Sequence, residues 1–353
     1  MDVSDFDFEL PDELVAQEPP PSRGESRLLV LDRASGAVEH TSFSLLSDYL
    51  RAGELLVLNN TKVFPARLLG RRVPSGGAVE ALLLGVGSWE LGVGSVWEAL
   101  VHPGQKLKPG ARVLFERDGV RLNGEILARH FFGRRTIRLW TDDRSDVASA
   151  IDRVGHVPLP PYIKREDRPS DRERYQTVYA RERGSVAAPT AGLHFTPAVL
   201  DRLEARGIER TEVTLHVGYG TFKPVRATRV EDHVVDAETF TVLPEAAAAL
   251  TRARRERRRV IGVGTTTVRT LESLTATADG TVEPACGETR LFIHPGHDFR
   301  IVDGMITNFH LPRSSLLMLV SALAGREQVL AAYREAVARG YRFYSYGDAM
   351  LII

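Results

Sequence analysis

Residues 54–62, Glu54-Leu55-Leu56-Val57-Leu58-Asn59-Asn60-Thr61-Lys62, are a nearly unbroken apolar run that empties into polar side chains. So short a run, without polar alternation, predicts a strand buried on both faces. Polar residues at the carboxyl end of such a strand are where open α/β sheets keep their sites. Upstream, residues 27–32 and 37–41 read as a hairpin, and 44–50 as a short helix stopped by Gly53. Downstream of Gly207, strands predicted at 208–216, 260–263, 290–294 and 305–309 alternate with helices at 244–259, 265–274, 316–323 and 327–339. A strand-like tail follows from 341. This alternation predicts an α/β fold with a mainly parallel sheet and flanking helices.

Between these halves the texture changes. Over 63–141, short alternating stretches such as ARLLGRRV, ARVLFER and RTIRLW are separated by Gly, Pro and Asp-Gly turns, without a helical period. Evenly spaced short strands predict a small antiparallel β-barrel. A helix at 145–154 and the stiff connector Gly155-His156-Val157-Pro158-Leu159-Pro160-Pro161 then lead back. The predicted organisation is a discontinuous α/β domain, 1–62 and 156–353, interrupted by a barrel at 63–155. The glycine-rich 85–94 segment precedes no helix and is rejected as a phosphate loop. Residues 171–180 read as a helix.

The 353 residues, 43% hydrophobic and 26% charged with formal net charge zero, describe an ordinary globular chain and argue against general nucleic-acid coating. No apolar run reaches the roughly 20 residues a membrane span needs. The acidic N-terminus is no signal peptide and Cys286 stands alone, so a cytoplasmic protein is expected. The basic run 252–259 reads either as a solvated helix face or as a phosphate-binding stripe, and charge alone does not choose.

Four predicted exits share small residues, a threonine or asparagine, and often a histidine: 188–196 (APTAGLHFT), 215–222 (LHVGYGTF), 263–270 (VGTTTVRT) and 305–312 (MITNFHLP). In a parallel sheet such loops meet in one crevice. The first ends on Thr196, which with Pro197 reads as an N-cap followed by proline at the first helical position. In the third, Thr265 and Thr266 at a helix start, with Arg269 one turn on, suit a carboxylate or other anion, against simple N-capping. His194, His216 and His310 are the acid/base candidates; any one alone fits a structural histidine better, and it is the three beside small-residue exits that favour chemistry. His294 and His297 in HPGH fit a turn better than a metal site, and no metal is expected.

Together these motifs resemble one family, the S-adenosylmethionine:tRNA ribosyltransferase-isomerases of queuosine biosynthesis. The resemblance is carried by NNTKVFPARL (59–68), GHVPLPPYI (155–163), YQTVYA (175–180), GSVAAPTAGLHFT (184–196), LHVGYGTFKPV (215–225), VGTTTVRTLES (263–273), VDGMITNFHLPRSSLLMLVSALAG (302–325) and YRFYSYGDAMLI (341–352). It implies an α/β domain interrupted by a barrel. It also implies transfer and isomerisation of the ribosyl group of S-adenosylmethionine onto 7-aminomethyl-7-deazaguanine at the wobble position of tRNA, giving epoxyqueuosine, adenine and methionine. S-adenosylmethionine is then a consumed substrate and no cofactor is expected; the partners are that tRNA and S-adenosylmethionine, with no membrane and a monomeric chain.

The reaction needs a base for the proton beside the sulfonium and a donor to the departing adenine, for which His194, His216 and His310 are the candidates. Residue chemistry adds Thr190, Gly192, Phe195, Gly218, Gly220, Thr221, Phe222, Thr265, Thr266, Arg269 and Asn308 as substrate-binding candidates. Rings of Phe195, Tyr219, Phe222 or Phe309 would suit the sulfonium, and Asn308 a ribose hydroxyl or adenine edge. Two positions depart from the family pattern: Asn60 stands where aspartate is common, and Asp236 where a histidine is expected. The rival readings are an S-adenosylmethionine-dependent methyltransferase, which lacks the early strand, Gly-rich turn and ribose-holding acid in one βαβ unit, and a non-catalytic tRNA-binding module.

Overall fold

The computed structural model describes residues 1–90, 94–222 and 225–353, with side chains described outside 86–94 and 221–224. Its centre is the predicted strand, Leu55–Asn59, every residue of which is buried. Leu55 and Val57 enter one apolar core and Leu56 and Leu58 another, as the two-residue period of a strand requires. One face is covered by helices Pro244–Arg255, Thr265–Glu272, Ser315–Ala324 and Arg326–Ala338, the other by helix Pro197–Ala205 and the 3₁₀ turn Phe43–Asp48.

Nine strands form the sheet, in the order Ala285–Thr289, Glu238–Val242, Glu209–Leu215, Leu55–Asn59, Val260–Val263, Gly304–Asn308, Ala349–Ile352, Arg27–Leu31, Val38–Ser42. The pairings 209–215 with 55–59, 55–59 with 260–263 and 260–263 with 304–308 are parallel, as is 27–31 with 349–352. The other four pairings are antiparallel. The sheet is therefore mixed rather than mainly parallel, with antiparallel pairings on both sides of a four-stranded parallel centre.

A closed six-stranded antiparallel barrel holds strands Arg67–Val73, Ala78–Glu90, Gly94–His102, Arg112–Arg117, Val120–Arg129 and Arg134–Trp140. Its interior is the alternate-residue set, including Leu68, Ala81, Leu83, Ala99, Phe115, Leu122, Ile137 and Leu139. Helix Val147–Val154, capped by Asp146 through Ser149 N (2.8 Å), packs Ala150, Ile151 and Val154 against it. Where the chain leaves the barrel, His156 N donates to Arg67 O at 2.8 Å, so its two crossings lie side by side. Thr61–Val63 and Glu182–Ser185 pair in parallel between sheet and barrel.

Three predicted elements differ. Only Asp171–Arg174 of 171–180 is helical, since the Gln176 amide is drawn to Val63, with Nε2 donating to Val63 O (2.6 Å) and Oε1 accepting from Val63 N (3.1 Å). The strand expected at 290–294 lies instead at Ala285–Thr289, paired with Glu238–Val242, and Leu291 O accepts from Arg269 Nε at 2.9 Å. The tail is a strand only over Ala349–Ile352.

Candidate functional site

All four parallel central strands end on one edge, and Asn59, fully buried, ties three of the exits. Its Oδ1 accepts from Leu215 N (3.0 Å) and Thr61 N (3.2 Å), and its Nδ2 donates to Leu215 O (3.0 Å) and Thr266 Oγ1 (3.3 Å). Helix Thr265–Glu272 begins at Gly264, whose φ of 86° only glycine adopts easily. Among the described residues no side chain caps this end; the alternative of simple N-capping by Thr265 or Thr266 is not realised, and the first amides of the helix keep their positive end open.

The exits divide between two concavities. A narrow crevice is lined by Thr190, Thr265, Thr266, Asn308, His310 and Tyr344, among others. A larger cleft between sheet and barrel is lined by His216, Gly218, Tyr219, Gly220, Asp236 and Glu238 with barrel residues such as Arg67 and Arg134. Val217 borders both.

His310 and His194 are buried. His310 Nε2 lies 2.9 Å from Thr307 Oγ1, and the backbone N–H of His310 donates to Tyr333 Oη at 3.2 Å. For His194 the tautomer follows from its neighbours. The Asn308 side-chain atom 3.1 Å from the Tyr344 carbonyl must be its NH₂, because a carbonyl only accepts. That NH₂ also lies 3.0 Å from His194 Nε2, which accepts, so His194 carries its proton on Nδ1, 2.8 Å from Ser26 Oγ. Asn308 Oδ1 is left buried without a partner among the described residues, an acceptor open to a ligand donor.

Burial lowers the His194 pKa from 6.5 to about 4 and that of His310 to about 3. Burial also lowers His216, whose Nδ1 is 2.8 Å from Thr61 Oγ1. Its ring packs on Gly184, where a Cβ would meet it at 2.6 Å. The stability consequence has a definite sign. His194 stays neutral in the folded state down to about pH 4 while the unfolded chain protonates near 6.5, so stability is full above pH 6.5 and falls as pH drops toward 4. Between pH 8 and pH 5 this one group is expected to cost about 2 kcal/mol. Urea unfolding at the two pH values should register it, and His194→Asn should flatten the dependence by that amount.

Several expected substrate contacts are otherwise engaged. Phe195 is fully buried, edge-on to Phe43 with ring centres 5.0 Å apart, and Phe309 lies within Tyr333, Tyr341 and Phe343; both are core rings. Gly192 is where a Cβ would strike Tyr179 Oη at 2.2 Å, so its smallness serves packing. Arg269 does not line the crevice: its guanidinium forms a buried ion pair with Glu238, whose Oε1 accepts from Gly218 N at 2.9 Å. One turn beyond Thr265, its side chain reaches the neighbouring strand instead. Gly220 abuts Asp236, with a Cβ due to fall 2.8 Å from its Oδ2. The Thr221 and Phe222 side chains lie outside the described residues.

The aromatic rings that do border the crevice are Tyr162 and Tyr344, with centres 3.9 Å apart, and the Tyr162 hydroxyl bonds Ser345. Their motifs, PPYI and YSYGDA, stand out in the sequence but carry no residue type that demands chemistry. Asn60 donates Nδ2 to Glu212 Oε2 (3.1 Å) and accepts from Thr214 Oγ1 (2.7 Å); an aspartate here would oppose Glu212. Asp236 pairs with Arg134 of the barrel at 3.3 Å. Most of the basic run is spent on the protein: Arg258 pairs with Glu209 (2.8 Å), Arg255 with Asp279 (2.6 Å), Arg252 with Glu209 and Arg259 with Glu54. This favours the solvated-face reading over a phosphate stripe.

Comparison with known proteins agrees with this architecture. A family model described as queuosine biosynthesis protein matches residues 3–352. The chain is 53% identical over 353 residues to the S-adenosylmethionine:tRNA ribosyltransferase-isomerase of Heliobacterium modesticaldum, covering all of both chains. It is 55% identical over 357 residues to the protein of the same name from Anaeromyxobacter sp., covering 100% of this chain and 99% of that one. A crystal structure of S-adenosylmethionine tRNA ribosyltransferase from Thermotoga maritima matches with a TM-score of 0.56 and 38% identity, covering 99% of this chain and 100% of the other. From its first strand to its last, this chain belongs to the queuosine biosynthesis protein family.

Proposed function

We propose that the protein is an S-adenosylmethionine:tRNA ribosyltransferase-isomerase. It moves the ribosyl group of S-adenosylmethionine onto 7-aminomethyl-7-deazaguanine at the tRNA wobble position, forms epoxyqueuosine, and releases adenine and methionine. The observation that carries the reading is the full-length identity of more than half to relatives bearing that enzyme name.

In this reading S-adenosylmethionine occupies the crevice. Its carboxylate meets the uncapped start of helix Thr265–Glu272 with the hydroxyls of Thr265 and Thr266. Tyr162 and Tyr344, rather than Phe195 or Phe309, supply the faces for the sulfonium. Thr190 borders the ligand and Asn308 Oδ1 accepts from a ribose hydroxyl or the adenine amine. The tRNA base approaches through the larger cleft past Gly218 and Gly220.

The sulfonium acidifies the adjoining ribose carbon, and a neutral imidazole accepts that proton. The resulting imidazolium, held at a lowered pKa by burial, is a strong acid toward the departing adenine nitrogen, so one group can serve both proton transfers. His310 borders the crevice and His216 the cleft, and both fit this duty. His194, with both nitrogens occupied, positions Asn308. The reading is tested by incubating the protein with S-adenosylmethionine and precursor tRNA and analysing the products. Adenine plus methionine is expected; S-adenosylhomocysteine would indicate a methyltransferase, and binding without turnover a tRNA-binding module.

A further inference from the structure

The barrel strands Val120–Arg129 and Arg134–Trp140 are joined through His130 and the short turn Phe131–Gly133. Phe131 and Phe132 are 87% and 94% exposed, more than any other large apolar side chain among the described residues. Phe132 has φ 54°, a left-handed backbone unfavourable for a bulky side chain. The two rings stand 6.5 Å apart at 49°, so neither covers the other.

Beneath them the tip is firmly tied. Arg135, only 2% exposed, donates to the carbonyls of Leu107 (2.8 Å), Arg134 (2.7 Å) and Gly104, joining the turn to the neighbouring loop. Phe131 and Phe132 border both a groove over that loop and the large cleft that holds His216. Arg129, Lys106 and Lys108 are exposed. Among the described residues none of these three has an ion pair, unlike Arg252, Arg255, Arg258 and Arg259.

We infer that this tip receives the unpaired nucleotides of the tRNA anticodon loop, with bases stacking on Phe131 and Phe132 and Arg129 and Lys106 meeting the backbone phosphates. The inference rests on the tRNA-substrate reading above and adds the docking face to it. Unpaired bases are bound by stacking on aromatic faces beside cations, and exposed rings at a rigid tip mark a binding surface rather than a core. The uncommitted cations select an anionic partner, and the position on the lip of the cleft puts a neighbouring nucleotide within reach of the site.

The test uses the full chain and a fluorescent anticodon stem-loop RNA, read by anisotropy. F131A/F132A is expected to weaken binding roughly 30-fold or more without lowering the melting temperature, since both rings are exposed. F131Y/F132Y keeps affinity, F131L/F132L loses it, and R129E lowers the salt dependence. If wild type turns over tRNA but F131A/F132A binds RNA as tightly, or leucine serves as well as tyrosine, the tip is not a stacking surface and the inference falls, the leucine result pointing to a protein partner. If wild type neither binds RNA nor turns it over, the substrate reading itself fails.

Discussion

His310→Ala is expected to release adenine from S-adenosylmethionine roughly 10²–10⁴-fold more slowly than the wild type. His310 stands at the exit of the Gly304–Asn308 strand, on the crevice, with one ring nitrogen fixed by Thr307. It is neutral at working pH because burial holds its pKa at about 3. Its loss should remove a proton carrier while leaving S-adenosylmethionine affinity nearly unchanged, so the effect belongs in kcat. Single-turnover adenine release measures it. A variant with wild-type kcat would transfer the role to His216, whose ring faces the cleft.

Glu238→Ala is expected to destabilise the fold by about 3–5 kcal/mol, because it strands a buried guanidinium. Glu238 holds Arg269 and also accepts from Gly218 N, so it joins helix Thr265–Glu272 to the exit after strand Glu209–Leu215. Removing both charges, as in E238A/R269M, should recover most of the loss, since the cost lies mainly in the unpaired partner. Denaturant midpoints of the three proteins measure this. A single variant as stable as the wild type would mean that Arg269 finds another partner.

Much of the architecture is legible in the sequence for a physical reason. An uninterrupted apolar run such as Leu55–Asn59 has few alternatives to a doubly buried strand, and the loss of helical period after Val63 announces the barrel. Strand direction is less legible. Ala349–Ile352 pairs antiparallel with Gly304–Asn308 but parallel with Arg27–Leu31, and Ala285–Thr289 pairs antiparallel with Glu238–Val242; nothing in a four- or five-residue run encodes its partner. The site is legible as residue types at strand exits, which is how Thr265, Thr266, Asn308 and His310 stand out. It is not legible as facing. Phe195 and Phe309 sit beside the chosen histidines in the sequence yet point into the core, Arg269 is consumed by Glu238 from another strand, and Tyr162 and Tyr344 reach the crevice from distant loops.

The central claim, that the ribosyl group is what this chain transfers, is tested most directly with S-adenosylmethionine labelled in the ribose and tRNA carrying the deazaguanine precursor. The prediction is ribose label in the tRNA in equal amount to the adenine and methionine released. Label that stays in solution as S-adenosylhomocysteine, with a methyl group on the tRNA instead, would contradict it.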